Sequence, residues 1–368
     1  MPYKVTLIPG DGVGPEVTEA TRRVLEATGI QFAWDIGIVG EKAQPQFGTP
    51  LPDGVIASIK KNRVALKGPV TTPIGSGFRS VNVALRKSLD LYACVRPCKI
   101  YRGAPTLFRD VNIVVVRENT EDLYVGIEFA RDTPEAKKLI DLIQASSGTK
   151  VSKDFGFSIK MLSETGSKRI VRFAFEYARA NNRKKVSAGH KANILKFSDG
   201  LFLAAAREVA REYPDIEFED VVIDALCMRL VRNPQSFDVI VLPNLYGDIV
   251  SDLCAGLIGG LGLAPGANIG NEVAVFEPTH GSAPKYAGHN KVNPMAMMLS
   301  AVLMLRHLKE KNTADRVEEA IAEVIAEGKD VTYDLKPKQS QSPAGTSQVA
   351  DAVIKKLKED CLVTKKSN

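Results

Sequence analysis

Short β-branched runs alternate with segments of helical spacing along most of this 368-residue chain. Val5–Ile8 reads as a strand, followed by a Gly/Pro turn and a helix expected from about Pro15 to Ala27. Ile113–Val116, Val186, Val221–Ile223 and Val239–Leu242 read as further strands. Helical spacing runs over Ser167–Asn181, where Ile170, Val171, Ala174, Tyr177 and Ala178 share a side, and over Ser198–Glu212. Strands that hand over to helices in this rhythm predict an α/β architecture. The length exceeds one ordinary core, so two domains or one large α/β unit are expected.

Two stretches depart from the rhythm. The polar segment Ala130–Phe157 reads as an insertion or an oligomer arm, and Gly256–Gly270 reads as a crossing between domains. From Pro294 onward the pattern is helical, over Met295–Leu308, Ala314–Glu327 and Ser347–Leu357, and Lys365–Asn368 reads as a frayed tail.

Several function classes are excluded. Lys and Arg total 49 against 43 acids, a net charge of +6, and no basic tract is interleaved with aromatics. That balance favours small anions and not nucleic acid. The five cysteines form no CxxC and no zinc spacing, so buried thiols in a reducing, cytoplasmic setting are expected. The chain enters a strand at Lys4, so no signal peptide is expected. No apolar stretch reaches the roughly 18–20 residues a membrane span needs.

Gly10, Gly12 and Gly14 follow the first strand and suggest a dinucleotide turn. The third glycine comes one position early for G-x-G-x-x-G, and no ribose-binding acid follows near position 30. A structural strand-to-helix turn is the expected role.

The sequence NLYGDIVSD places Asp248 and Asp252 four residues apart, on one side of a helix. A solvated helix face is the ordinary explanation. The apolar flanks Val239–Leu242 and Leu253–Ile258 argue against it, because two close carboxylates repel unless a cation lies between them. A third acid, Asp224, is expected at the end of the strand Val221–Ile223. Aspartate-only ligation suits Mg²⁺ or Mn²⁺ better than zinc. Far away, Ser80, Asn82 and Arg86 can share one side of a short helix, with Arg96 and Arg117 further on. Singly, each arginine is an ordinary surface ion-pair partner; together they suit a polycarboxylate, which guanidinium forks bind bidentately. VRENTEDLYVG adds Tyr124, and HKANILKFSDG puts Lys191 just after a strand, where a desolvated lysine exchanges protons near neutral pH.

Taken together, these words resemble the β-decarboxylating dehydrogenases of isocitrate, isopropylmalate, homoisocitrate and tartrate. The segments 66–97, VRENTEDLYVGIE, HKANILKFSDG, NLYGDIVSD and HGSAPKYAG carry the resemblance in the family's order, from about Lys4 to Val353. The resemblance implies a two-domain fold with a non-Rossmann dinucleotide site. Residues 1–91 plus 259–368 would form a large, mainly cofactor-binding domain. Residues 92–258 would form a small, dimer-forming domain with a clasp insertion at about 125–163. It implies that Asp248 and Asp252, with Asp224 of the second subunit, hold Mg²⁺ or Mn²⁺. It implies that Arg96 and Arg117 fix substrate carboxylates, and that Ser80, Asn82 and Arg86 read the variable arm. Ser-x-Asn there is the isocitrate pattern, whereas isopropylmalate enzymes carry an apolar residue at the place of Ser80. Lys191 looks like the group that takes the hydroxyl proton, and Tyr124 like the acid that protonates carbon. A site drawn from two chains implies an obligate homodimer.

By the same resemblance the dinucleotide lies along His280–Gly288, with His280, Gly281, Ser282 and Ala283 against it and Asn293 near the adenine. Thr72 and Asn193 match positions at the nicotinamide end. Lys285 and Tyr286 stand where NAD enzymes usually carry Asp-Ile, and Tyr333 matches a further NADP-type position. A cation and phenols suit a 2′-phosphate, so NADP is expected, with NAD as the alternative. Pro337 departs from the basic residue of some NADP enzymes; Lys336 and Lys338 flank it, and Arg229 is a candidate to reach across a dimer. The rival readings are another 2-hydroxy acid, such as homoisocitrate, and a non-catalytic regulatory subunit. The latter class loses catalytic words that are all present here.

Overall fold

A computed structural model of the chain describes residues 1–73, 80–336 and 342–364, with side chains as far as residue 359. Pro337, Lys338 and the tail Lys365–Asn368 lie outside the described residues.

The strands are β1 (Tyr3–Ile8), β2 (Phe32–Ile36), β3 (Val64–Lys67), β4 (Ala93–Lys99), β5 (Asn112–Glu118), β6 (Glu128–Phe129), β7 (Phe157–Ser158), β8 (Lys185–His190), β9 (Glu217–Val222), β10 (Val239–Leu242), β11 (Pro265–Ile269) and β12 (Ala274–Pro278). The helices are α1 (Gly14–Ala27), α2 (Ala43–Phe47), α3 (Asp53–Asn62), α4 (Val81–Ser88), α5 (Pro134–Ser147), α6 (Glu164–Ala180), α7 (Ser198–Ala210), α8 (Ile223–Arg232), α9 (Asn244–Leu257), α10 (Met295–His307), α11 (Lys311–Glu327) and α12 (Thr346–Thr364).

Ten strands form one sheet in the order β2-β1-β3-β12-β11-β4-β5-β10-β8-β9. Both ends of the sheet are parallel: β2, β1, β3 and β12 at one end, and β5, β10, β8 and β9 at the other. Antiparallel pairings of β12 with β11, β11 with β4 and β4 with β5 join them. The expected boundary at 91/92 falls just before β4, and the one at 258/259 just after α9, where Gly259 and Gly260 have φ of 113° and 116°.

The elements follow from local chemistry. Ser163 caps α6 by accepting the Gly166 N–H at 2.9 Å, and the helix buries Ile170, Val171, Ala174, Phe175 and Ala178 on one side. α10 is buried nearly all round; its Ser300 hydroxyl donates back to the Ala296 carbonyl at 2.8 Å and accepts the Gly266 N–H of β11 at 3.3 Å.

The expected insertion has internal structure, and the expected place of Asp224 needs correction. The polar stretch 130–157 holds a full helix, α5, capped by Thr133 with Pro134 at its first position and ended by Gly148 at φ 69°. Only Ala136 and Ile140 are buried in it, so its apolar periodicity is faint. β6 and β7 flank it as a separate two-stranded antiparallel sheet. The strand carrying Val221 stops at Val222, so Asp224 lies in the first turn of α8 and not at a strand end.

Candidate active site

Arg117 is 1% exposed and projects from β5 beneath the start of α9. Its Nε and Nη2 donate to Asn244 Oδ1 at 3.0 and 2.8 Å, and its Nη1 bonds to Asp248. α9 can press this closely because Gly247 has no side chain: a Cβ there would lie 2.5 Å from Arg117 Cγ. On the antiparallel neighbour β4, Cys94 is the register partner of Arg117, so Arg96, two residues on, shares its face. Arg96 Nη1 donates to Ser251 and lies 3.5 Å from Asp248 and 3.4 Å from Asp252. The two carboxylates one turn apart therefore share a guanidinium.

Tyr124 completes this group. Its hydroxyl donates to Asp248 Oδ2 at 2.5 Å, and the Arg117 guanidinium lies 4.8 Å from its ring centre. Burial pushes the Asp248 carboxyl up, but Arg117, the Tyr124 hydroxyl and Arg96 outweigh it, and the net shift is downward. Asp252 moves the other way, because burial and the Asp248 charge prevail over Arg96. Burial and the bond to Asp248 raise the Tyr124 phenol, which stays protonated at neutral pH.

The cradle stands beside this group. Ser80 caps α4; its hydroxyl accepts from the Val83 N–H at 3.5 Å and from Thr72 Oγ1 at 3.2 Å. Arg86 is buried and donates through Nη2 to Glu277 Oε1 at 3.0 Å. Asn82 Oδ1 and Arg86 Nε are buried without a partner, the condition a polar ligand would relieve. After burial itself, Arg86 and Arg96 are what lower Arg117, so the three arginines converge electrostatically. Glu277 on β12 also pairs with Lys67 and accepts from Asn268 at 2.7 Å. Burial alone would raise its carboxyl, but Lys67 and Arg86 prevail and hold it far below the usual range. Sequence reading missed Lys67 and Glu277; the available signal was a lone charge among the last two residues of each of the apolar strands VALK and AVFEP.

Lys191 and Asp224 pair with each other, and the Lys191 hydrogen bond holds Asp224 below its ordinary pKa. Within one chain neither bonds to Arg96, Arg117, Tyr124 or Asp248 among the described residues. The two carboxylates of α9 offer hard oxygen donors of the kind Mg²⁺ or Mn²⁺ takes. Among the described residues no three Asp, Glu, His or Cys side chains of a single chain converge as a metal site. Around Lys191 and along α8 and α9, large apolar side chains face outward: Ile194, Phe197 (95% exposed), Met228, Val231 and Ile249.

The loop after β12 packs on the first glycine turn. The Val13 N–H donates to the Ser282 carbonyl at 2.9 Å, the Thr71 and Ser282 hydroxyls lie 2.8 Å apart, and a Cβ on Gly12 (φ 56°) would lie 2.1 Å from that carbonyl. Gly10, Gly12 and Gly14 form a tight structural turn supporting this loop. Ala283 takes a left-handed φ of 38°, between His280-Gly281-Ser282 and the one-turn helix Pro284–Tyr286. Burial lowers the His280 imidazole pKa. Lys285 lies 4.9 Å from the Tyr286 ring centre, and the Tyr286 and Tyr333 rings are 6.3 Å apart. Lys291, which sequence reading passed over, lies 4.9 Å from the Tyr333 ring and 5.3 Å from that of Tyr286. It stands in the same loop as Lys285, which was the signal available. Lys291 and Tyr333 also line a cavity of about 350 Å³ with His289, Asn290, Gly345 and Gln348. Asn293 is buried; its amide donates to Asp334 at 3.0 Å and its Oδ1 accepts the Met295 N–H at 3.0 Å, which ties the Tyr333 turn to the start of α10. Asn193 is exposed beyond Lys191. Arg229 is engaged with Glu219 at 3.2 Å and lies over the Phe237 ring.

The chain is 51% identical to an isocitrate dehydrogenase of Methylococcus capsulatus of known crystal structure, with a TM-score of 0.88 over 96% of this chain and 99% of that one. It is 46% identical to a probable NAD isocitrate dehydrogenase subunit alpha, mitochondrial, of Drosophila melanogaster, over 90% of this chain and 83% of that protein. It is also 46% identical to the NADP isocitrate dehydrogenase of Thermus thermophilus, over 96% of this chain and 67% of that protein. Residues 4–353 match the family described as isocitrate/isopropylmalate dehydrogenase. With its large mixed sheet, its buried arginines and its paired carboxylates, this chain belongs to the isocitrate/isopropylmalate dehydrogenase family of enzymes.

Proposed function

We propose that the protein oxidises isocitrate with NADP and releases CO₂ to give 2-oxoglutarate, as a homodimer. The observation that carries this reading is the cradle: Ser80, Asn82 and Arg86 lie on one short helix, with Asn82 Oδ1 and Arg86 Nε buried and unpartnered, in the field of Arg117. A hydroxyl, an amide and a guanidinium suit a third carboxylate and not an isopropyl group.

Arg96 and Arg117 bind the other carboxylates and shield Asp248 from Asp252. Asp248 and Asp252, with the partner's Asp224, would hold Mg²⁺ or Mn²⁺. The ion would lower the pKa of the substrate hydroxyl and stabilise developing oxyanion charge. The partner's Lys191 would take the hydroxyl proton, and a bound nicotinamide would supply the two-electron acceptor for the hydride of the same carbon. The resulting β-keto acid loses its β-carboxyl group as CO₂. Tyr124, protonated and held beside Asp248, then delivers a proton to the carbon left behind.

The exposed apolar side chains of α8 and α9 support dimerisation, since a patch of this kind on a soluble chain marks an interface. The α5 segment with its two-stranded sheet suits the clasp, and the seam at β11 and β4 suits the division into domains 1–91 plus 259–368 and 92–258. Lys285, Lys291, Tyr286 and Tyr333 form two ammonium groups and two phenols in one cluster, which favours NADP. Free thiols at Cys94, Cys98, Cys227 and Cys254 fit a cytoplasmic enzyme, and among the described residues no helix is long and apolar enough to cross a membrane.

The test is a spectrophotometric assay of isocitrate, homoisocitrate and isopropylmalate with each nicotinamide cofactor, with and without chelator. Isocitrate is expected to lead by at least two decades in kcat/KM, with turnover lost in chelator and restored by Mg²⁺ or Mn²⁺. Preference for another acid overturns the substrate, and full activity in excess chelator overturns the metal.

A further inference from the structure

One buried charged group lies outside the machinery described so far. Asp122 and Asp199 are 0% exposed, and the Lys160 ammonium lies between them, 3.0 Å from Asp122 Oδ1 and 3.3 Å from Asp199 Oδ1. It also lies 4.4 Å from the ring centre of Tyr246, in the first turn of α9. Each aspartate grips a different part of the site. Asp122, at a left-handed φ of 68°, begins the one-turn helix that carries Tyr124, and its Oδ2 accepts the Leu245 N–H of α9 at 2.9 Å. Asp199 Oδ2 accepts the backbone N–H of Lys191 at 2.7 Å. Lys160 itself follows β7, at the base of the α5 segment.

We propose that Lys160 is a positioning residue that locks the Tyr124 turn, the start of α9 and the Lys191 turn into one rigid frame. Under the two-chain reading of the site, on which this inference rests, Tyr124 and Asp248 serve one active site while Lys191 serves the other. The Asp122–Lys160–Asp199 bridge then links the two sites of a dimer through the interior of each protomer. The chemistry of the bridge requires the cation. Two buried carboxylates held by one ammonium are stable together, whereas removal of the ammonium leaves two like charges buried and forces the turns apart.

The test is a heterodimer purified through two tags. One protomer is wild-type and the other carries Tyr124→Phe, so the working site combines the wild-type Tyr124 with the altered protomer's Lys191. Adding Lys160→Met to the Tyr124→Phe protomer is expected to lower kcat for isocitrate at least tenfold, with the KM for NADP within twofold. Lys160→Arg in its place is expected to recover most of that loss. Unchanged kcat with Lys160→Met overturns the proposal. So does a loss that Lys160→Arg fails to recover and that tracks a fall in dimer content. If the Lys160→Met protomer does not assemble, Asp199→Asn replaces it; the amide still accepts from Lys191 but releases Lys160. A threefold or larger fall in kcat then supports the bridge, and no fall overturns it. A wild-type dimer idle on isocitrate overturns the substrate reading itself, before any Lys160 variant is measured.

Discussion

The Tyr124 hydroxyl donates to Asp248 Oδ2 at 2.5 Å, which joins the proposed proton donor to a proposed metal ligand through one hydrogen bond. Burial and the bond to Asp248 raise the phenol pKa and keep the proton on Tyr124, while the Arg117 guanidinium packs against its ring.

Tyr124→Phe removes the proton and leaves the ring. General-acid groups contribute about 10²–10⁴-fold, so kcat is expected to fall by that range while the KM for isocitrate stays within a few-fold. Steady-state kinetics with both constants resolved decide this. An unmoved kcat removes Tyr124 from the chemistry.

Ser80→Glu sets a carboxylate where the third substrate carboxylate is read. Like charges at that distance repel in a partly buried site, so the KM for isocitrate is expected to rise at least tenfold. Ser80→Ala is the control. It loses the helix cap, worth about 1 kcal/mol, without adding charge, and it should bind substrate far better than the glutamate variant. Equal KM values for the two variants would place Ser80 outside the substrate site.

Lys285→Asp with Tyr286→Ile removes donors from the proposed 2′-phosphate site and adds a ribose-binding carboxylate. Charge-assisted hydrogen bonds contribute about 1.5–3 kcal/mol each, or roughly one to two decades apiece. The pair should lose several decades of kcat/KM for NADP and gain on NAD, and Lys291→Ala alone about one decade for NADP. The deciding quantity is the NADP to NAD ratio of kcat/KM in the unmodified protein. A ratio below one reverses the cofactor assignment.

Glu277→Gln leaves Lys67 and Arg86 buried around a neutral amide, which costs about 3–5 kcal/mol for a broken buried ion pair. The folded pKa of Glu277 lies below its unfolded value of about 4.3, so its contribution is complete above that pH and fades as pH falls through the interval beneath it. Thermal unfolding should separate the variant from wild type at pH 7, and the gap should narrow below about pH 4. A gap constant across pH would contradict the pairing.

Local rules made much of this protein legible in its sequence. The strand-helix rhythm gave the α/β class, because alternation and 3.6-residue spacing are properties of the backbone itself. The i, i+4 spacing put Asp248 and Asp252 on one side of α9, and the early third glycine, Gly14, marked the first turn as structural. α5 escaped because a helix that buries only Ala136 and Ile140 leaves almost no periodic trace. What decided the site was pairing between distant segments. The antiparallel register of β4 with β5 sets Arg96 and Arg117 on one face, and α9 then closes over both. Glu277 reaches Arg86 across 191 residues, and Lys160 reaches Asp122 and Asp199 from separate elements. Spacing along a chain determines which residues share a face. Which faces meet is settled by the burial and polar satisfaction of the whole sheet and its helices, and that sum exists only in the folded protein.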